Sequence, residues 1–457
     1  MKMIKKFEEK NVLVIGLAKS GTEAARLLHK LGAKVTVNDQ KPYEENTQAQ
    51  ELEKLGVSVV CGSHPENLIN KTVDYVVKNP GIRYDHPLVV KAIDMKLPVY
   101  TEVELAYLIS EAEMIGITGS NGKTTTTTYI GEMLYGGEKE PLLAGNIGEV
   151  SCGVAQQATA QHEMVVELSS FQLMGIETFT PRIAVFLNLV EAHIDYHGSM
   201  DEYMNAKKNI FLNQSDSDYL IYNADDPLVS DIVQEAKAEL IPFSTKVTIQ
   251  NGASIEDGWI KVFNHRLMEA KELSLPGEHN LSNALAAATA AILAGGKVDQ
   301  VKHVLRTFAG VKHRLEYVGE AVGRSFYNNS KATNVPATVT ALRAFKQPIV
   351  LIAGGLDRGL SFDGLIPLLS EHVSKIVSYG ETKEAIAEAA RKANVPFIKT
   401  VSSLEEATRL AFEKSVSGEV ILLSPACASW DQFRTFEQRG DEFTRVVKRI
   451  FNENLQE

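Results

Sequence analysis

The sequence is poor in cysteine, has no apolar run long enough for a bilayer, and carries no basic excess. Its three cysteines, Cys61, Cys152 and Cys427, are odd in number and widely spaced, which excludes a disulfide framework and a clustered zinc site. Reduced, buried thiols are expected instead. No stretch approaches the roughly 20 apolar residues that cross a membrane. The chain starts with Lys2, Lys5 and Lys6, but Glu8 and Glu9 follow, and the apolar run Val12–Ile15 is too short for the core of a signal peptide. A soluble, cytoplasmic protein with no membrane insertion is expected. Lys and Arg number 47 against 58 Asp and Glu, a formal net charge of −11. This argues against nucleic acid as the main partner, because phosphate backbones select basic patches. Nucleotides, which need only a few local donors, remain open. There is neither a repeat of solenoid period nor a low-complexity tract.

What is present is ordinary globular material: 457 residues, 44% hydrophobic and 23% charged. At roughly 150 residues per domain, the length suggests about three domains. The chain divides into three segments, each with its own glycine-rich turn. The first, 1–101, opens with the buried-strand pattern Asn11-Val-Leu-Val-Ile-Gly16, the turn Gly16-Leu-Ala-Lys-Ser-Gly21, a helical stretch over 22–30 and the strand Lys34-Val-Thr-Val-Asn-Asp39. That is a βαβ pattern and implies a parallel sheet. Asp39 stands where a dinucleotide fold holds a ribose. A further strand over 73–77 is closed by Asn79-Pro80-Gly81.

The second segment, 102–310, carries the strand Met114-Ile-Gly-Ile-Thr118, then Gly119-Ser-Asn-Gly-Lys-Thr-Thr125 and a threonine-rich helix. Strands over 164–167 and 183–188 end in polar residues, and Glu278-His-Asn-Leu-Ser-Asn283 opens an alanine-rich helix. The third segment, 311–457, alternates strands over 348–355, 375–379 and 419–424 with helical stretches. The expected class is α/β with three domains: a Rossmann-like first domain, a central domain of P-loop ATPase type with a mostly parallel sheet, and a Rossmann-like third domain.

The run Gly119, Ser120, Asn121, Gly122, Lys123, Thr124, Thr125 reads as a phosphate loop. Glycines let backbone N–H groups turn toward phosphate oxygens, and the helix N-terminus adds its positive dipole end. Lys123 can neutralise β- and γ-phosphates, and the Thr124 hydroxyl can ligate Mg²⁺. A strict Walker A pattern places glycine where Ile117 stands, with Gly116 beside it, so the loop is a variant. Alone it fits a switch GTPase, a motor, a kinase or a ligase. Glu167, at a strand end, is placed to hold Mg²⁺. His193 lies just past another strand end. Lys207 shares a helix face with Tyr203 at i,i+4 spacing, and its position alone reads as a solvated helix lysine.

Taken together, the ordered motifs resemble the Mur ligase family, the ATP-dependent amino-acid ligases of peptidoglycan precursor synthesis. They are Gly119–Thr125, Asn146 in Gly-Asn-Ile-Gly148, Glu167-Leu-Ser-Ser170, His193-Ile-Asp195, Tyr203 with Ala206-Lys207, Gly277-Glu-His-Asn280 with Asn283, and His313-Arg-Leu-Glu316. The resemblance covers nearly the whole chain. Asn329-Ser-Lys-Ala-Thr-Asn334 and the run from Ser424 to Gly440 resemble the branch that adds D-glutamate to UDP-N-acetylmuramoyl-L-alanine through an acyl phosphate.

The resemblance implies roles for single residues. Lys123 and Thr124 match the ATP-phosphate and magnesium residues, and Glu167 matches a magnesium ligand. His193 matches a ligand of a second magnesium, and Lys207 the lysine that reacts with CO₂ to give a carbamate. Asn146 matches a residue near the reacting phosphoryl group. Asn280, Asn283, Arg314 and Asp357 match nucleotide contacts; the lysine that follows the family's aspartate has its counterpart in either Arg358 or Gly359. Thr333, Ser429 and Phe436 match positions that hold D-glutamate, and Lys19, Ser20, Gln40 and Lys41 fall where the family holds uridine diphosphate. ATP, two Mg²⁺ ions, the carbamate and a monomeric state are the corresponding expectations. The alternatives are another Mur or folylpolyglutamate-type ligase, an NAD(P)-dependent dehydrogenase suggested by Gly16, Gly21 and Asp39, and a nucleotide-switched binding protein.

Overall fold

The computed structural model describes residues 1–359 and 361–454. Among these, the strands form three sheets of five, nine and six strands, and helices alternate with them along the chain. Two compact units divide the chain: 1–272 with 282–306, and 273–281 with 307–457. No helix among the described residues is long and apolar enough to cross a membrane.

The first sheet is wholly parallel, in the order Ser58–Cys61, Lys34–Asp39, Asn11–Ile15, Tyr75–Lys78, Val99–Tyr100. Its central strand reads Asn-Val-Leu-Val-Ile, with the four apolar residues buried, the pattern of a strand covered on both faces. The chain leaves this strand to one side for Lys34–Asp39 and to the other for Tyr75–Lys78. In such sheets ligands bind outside the carboxyl ends of the strands where the order reverses. The first helix begins at Lys19, three residues earlier than the pattern suggests, so Lys19 and Ser20 sit in its first turn at that edge. Asp39 does not lie idle there: its carboxylate accepts from Leu17 N (2.6 Å) and Lys41 N (2.8 Å).

The second sheet runs His265–Glu269, Trp259–Val262, Ala253–Glu256, Glu239–Ser244, Tyr219–Asn223, Ile183–Phe186, Glu113–Thr118, His162–Glu167, Glu140–Gly145. It is parallel apart from the two pairings around Trp259–Val262. Its order reverses at Glu113–Thr118, flanked by Ile183–Phe186 and His162–Glu167. The strand expected over 183–188 stops at Phe186, which leaves Asn188 free to face the loop after Thr118.

The third sheet runs Glu316–Ala321, Arg324–Asn328, Val420–Leu423, Ile349–Gly354, Val373–Tyr379, Phe397–Thr400 and is parallel beyond its first hairpin. All six residues of Ile349–Gly354 are buried. Its reversal lies between Ile349–Gly354 and Val420–Leu423, where the turns at 355–359 and 424–429 leave the sheet.

Candidate functional site

At the reversal of the second sheet, the strand Glu113–Thr118 runs through 119–122 into the helix Lys123–Leu134. Gly122 caps that helix at φ +84°, and a Cβ there would overlap Asn283 Oδ1. Loop and Asn283 therefore pack backbone against side chain. Asn188 fixes the other side: Asn121 N donates to Asn188 Oδ1 (2.8 Å) and Asn188 Nδ2 donates to Asn121 O (3.1 Å). Ser120 Oγ lies 2.9 Å from the Tyr203 hydroxyl. Lys123 Nζ donates to the carbonyls of Gly119 (2.7 Å) and Ser120 (2.9 Å). The ammonium is thus curled over its own loop, with carbonyl oxygens as stand-ins for the phosphate oxygens such a loop cradles.

Glu167 ends the neighbouring strand, in register with Ile117. The residue is 1% exposed. Its Oε1 accepts from Asn146 Nδ2 (2.9 Å), and its Oε2 is buried with no hydrogen-bond partner. A buried carboxylate oxygen left unmet is costly, and a cation in contact with it removes the cost.

Lys207, on the helix Met200–Leu212, is buried rather than solvated. Its Nζ donates to Gly119 O (2.8 Å), lies 3.4 Å from Thr118 Oγ1 and sits 4.8 Å from the centre of the Tyr203 ring. Burial, and then the charge of Lys123, push its pKa well below the usual lysine range, with Glu167 opposing. His193 occupies the left-handed region (φ +57°) ahead of the short helix Ile194–His197. Burial, then Lys123 and Lys207, lower its pKa against the pull of Asp195, so the neutral ring that can donate a lone pair is favoured. His197, pushed down to about 4 by burial and by His193 and Lys207, lies 2.9 Å through Nε2 from Ser170 Oγ.

Among the described residues no three His, Cys, Asp or Glu side chains gather as a metal cage. The donors present are a carboxylate, a threonine hydroxyl in the first helical turn and an imidazole. This set fits Mg²⁺, which keeps several waters and is commonly shared between one or two carboxylates and substrate phosphates.

Three family models cover the chain: a Mur ligase MurD-like N-terminal domain over residues 10–101, the Mur ligase middle domain over 117–291 and a Mur ligase glutamate ligase domain over 313–427. The chain belongs to the Mur ligase family. Among similar relatives of this Mur ligase are the UDP-N-acetylmuramoylalanine–D-glutamate ligases of Halalkalibacterium halodurans and Geobacillus kaustophilus. The first is 53% identical, spanning 98% of this chain and 99% of the relative. The second is 54% identical, spanning 98% and 100%. Among solved structures, the UDP-N-acetylmuramate-alanine ligase MurC of Thermotoga maritima has a TM-score of 0.57 at 20% identity, covering 96% of this chain and 99% of that one. MurF ligase of Thermotoga maritima, solved with ADP, also gives 0.57, at 15% identity and 97% of each chain. At such identities the likeness is one of fold.

Within this Mur ligase, the residues expected at the phosphate loop, with Asn146, Glu167, His193, Lys207 and Asn283, come together at one sheet edge. Lys19, Ser20, Gln40 and Lys41 lie at the carboxyl edge of the first sheet, where Ser20 Oγ accepts from Asn79 Nδ2 (2.8 Å). Asn280, Arg314, Thr333, Asp357, Ser429 and Phe436 belong to the second unit. There Asn280 Nδ2 donates to Pro276 O (2.7 Å), Asp357 Oδ1 accepts from Gly359 N (2.8 Å), and Phe436 O accepts from Ser330 Oγ (2.7 Å). The sequence reading missed Asn188, Thr118 and Asn79. Each follows or ends a strand at a sheet reversal, and that position was the available signal.

Proposed function

We infer that this Mur ligase joins D-glutamate to UDP-N-acetylmuramoyl-L-alanine at the expense of ATP, in peptidoglycan precursor synthesis. The observation that carries the reading is the 53% identity, over 98% of the chain, with a relative of that name. The gathering of Lys123, Glu167 and Lys207 at one sheet edge supplies the chemistry it needs.

A carboxylate does not condense with an amine in water, because oxide is too poor a leaving group. Transfer of the γ-phosphoryl group to the L-alanyl carboxylate gives an acyl phosphate. The D-glutamate amine then attacks the acyl carbon, and the tetrahedral intermediate expels phosphate. The obstacle is charge, since an anionic carboxylate must approach a polyanion. Lys123, leaving the carbonyls of Gly119 and Ser120, sets its ammonium against the transferred group, while loop N–H groups and the helix N-terminus hold the phosphate oxygens. Mg²⁺, when bound, would screen the remaining repulsion and stabilise the charge of in-line transfer. Thr124 and Glu167 would hold one ion, and His193 with a carbamylated Lys207 a second. Carbamylation of the Lys207 ammonium releases two protons. One leaves to give the neutral amine, whose nitrogen bonds to the carbon of CO₂, and the second leaves that nitrogen as the carbamate forms, so +1 is replaced by −1 and oxygen donors are created. Burial favours it, because the neutral amine is the form that attacks CO₂.

Asn146, bonded to Glu167, orients that carboxylate beside the reacting groups. Lys19, Ser20, Gln40 and Lys41 hold the uridine diphosphate. Asn280, Asn283, Arg314 and Asp357 hold the adenine nucleotide, and Thr333, Ser429 and Phe436 hold D-glutamate. All these residues come from a single chain, so a monomer suffices, and the soluble substrates suit a cytoplasmic enzyme. The test is phosphate release from ATP with Mg²⁺. It should require both D-glutamate and the nucleotide sugar, and L-lysine, meso-diaminopimelate and L-alanine should not replace D-glutamate. Release independent of either substrate would refute the reading.

A further inference from the structure

The order of the first sheet reverses between Asn11–Ile15 and Tyr75–Lys78, so the turns at 16–20 and 79–82 border its ligand crevice. The two turns touch. Asn79 Nδ2 donates to Ser20 Oγ, and a Cβ on Gly16, at φ +87°, would lie 3.0 Å from Asn79 Cβ.

Beneath the second turn lies Lys78, 1% exposed. Its ammonium donates to the carbonyls of Ile82 (2.9 Å) and Pro80 (3.4 Å), sits 4.5 Å from the centre of the Tyr84 ring, and donates to the Tyr196 hydroxyl oxygen (3.3 Å). Tyr196 in turn donates its proton toward Ile82 O (2.8 Å), with Pro80 O at 3.2 Å. The backbone of the same tyrosine is engaged at its other end: Tyr196 N donates to His193 O (3.0 Å). Arg83 adds a bond to the Asp195 carbonyl and lies 5.6 Å from the centre of the Tyr196 ring. Phe171, which follows Glu167 by four residues, packs its ring 4.4 Å from Tyr196 and 5.0 Å from His193. One tyrosine is therefore bonded both to the turn that presents His193 and to the turn that borders the crevice of the first sheet.

A buried ammonium is expensive to keep, and the reaction assigns Lys78 no chemistry. We propose that Lys78 and Tyr196 are positioning residues, a latch that fixes the register between the nucleotide-sugar crevice of the first sheet and the His193 turn of the second. The inference rests on the ligase reading above. Each half binds its own ligand through its own residues; the latch sets how the acyl carboxylate meets the phosphoryl group, where a displacement of about 1 Å can cost about a hundredfold in rate.

The test uses the full chain with Tyr196→Phe, Lys78→Met and the double variant. Dissociation constants for UDP-N-acetylmuramoyl-L-alanine and for ATP come from calorimetry, and kcat from phosphate release. Each single variant should lose about tenfold or more in kcat while both dissociation constants stay within about twofold. The double variant should fall no more than about twofold below the poorer single, because residues acting as one unit are non-additive. Parental kcat in the singles, losses that multiply in the double, or weakened binding that accounts for the loss would each overturn the latch. Should Lys78→Met fail to fold, Tyr196→Phe, which deletes one oxygen, decides alone: its kcat either falls at unchanged affinity or it does not. A parent protein that releases no phosphate with all substrates present would instead sink the ligase reading.

Discussion

Lys207 shows how one position changes meaning with its surroundings. On a helix of known face it is an ordinary lysine. Packed against Tyr203, with its Nζ on the Gly119 carbonyl, it has no bonded carboxylate, and burial and the charge of Lys123 both disfavour its ammonium form. The proposed carbamylation would turn that disfavoured ammonium into an anion with oxygen donors. Lys207→Ala should lower kcat by about a thousandfold and should be partly rescued by short-chain carboxylic acids, which return the missing oxygens. Phosphate release measured with and without added acid decides it, and full activity of the unrescued variant would refute the carbamate. Lys78 gives a second test, of stability. Burial lowers its pKa to about 7 from 10.5, while Tyr196, pushed up to about 12, stays neutral across the window that matters. Between those two lysine values the unfolded chain binds a proton that the folded chain does not. The burial penalty is therefore full below about pH 7 and fades as pH rises toward 10.5, with a slope approaching about 1.4 kcal/mol per pH unit. Lys78→Met has no such term. Its stability relative to the parent should be more favourable at pH 6 than at pH 9, read as the shift in urea midpoint. An equal shift at both values would mean that Lys78 does not titrate there.

At the scale of elements, the phosphate loop is the most constrained piece. Gly122 combines a left-handed backbone with a side chain, Asn283, directly against it. Gly122→Ala should cost about 1–3 kcal/mol of local strain and raise the KM for ATP about tenfold or more, since the loop must shift its N–H groups. An unchanged KM would show that the loop tolerates the shift. This loop was legible in the sequence because a buried apolar strand runs straight into glycines and a lysine. The other central strands were legible for the same reason: 12–15 and 349–354 are buried throughout and read as unbroken apolar runs. The hairpin strands Ala253–Glu256, Trp259–Val262 and His265–Glu269 were not. They are short, and their mixed polar composition carries no period that distinguishes them from loop. Nor was the Lys78–Tyr196 contact legible, since it joins residues 118 positions apart through carbonyl oxygens that no residue type announces. Asn188 was half legible: a polar residue at the end of an apolar run, but one expected inside the strand that in fact stops at Phe186.

At the scale of the molecule, the same device recurs three times: a parallel sheet reverses its order, and polar residues collect where the carboxyl ends of adjacent strands part. Under the proposed function, this recurrence would spread a three-substrate reaction over the chain: the nucleotide sugar at the first reversal, the phosphates at the second, and D-glutamate with part of the adenine nucleotide at the third. In the second unit one side chain bridges several segments at the third reversal. Arg439, fully buried, donates through Nε to Ser330 Oγ (3.0 Å), through Nη2 to Ser330 O (2.7 Å) and through Nη1 to Cys427 O (3.0 Å). Ser330 Oγ in turn donates to Phe436 O. One planar guanidinium thus ties together the segments that carry Thr333, Ser429 and Phe436. A lysine ammonium is a compact point charge without that fork. Arg439→Lys should leave a buried carbonyl unmet, at about 1–3 kcal/mol, and loosen all three segments together. The expected result is a KM for D-glutamate raised about tenfold, as that energy implies, with the KM for the nucleotide sugar within about twofold of the parent. ATP is not the control, because Arg314 and Asp357, proposed above to hold the adenine nucleotide, share this unit. Steady-state kinetics with each substrate varied in turn make the measurement. Equal rises for D-glutamate and the nucleotide sugar would mean that the sheets do not divide the substrates between them, and that Arg439 supports the fold without serving one ligand in particular.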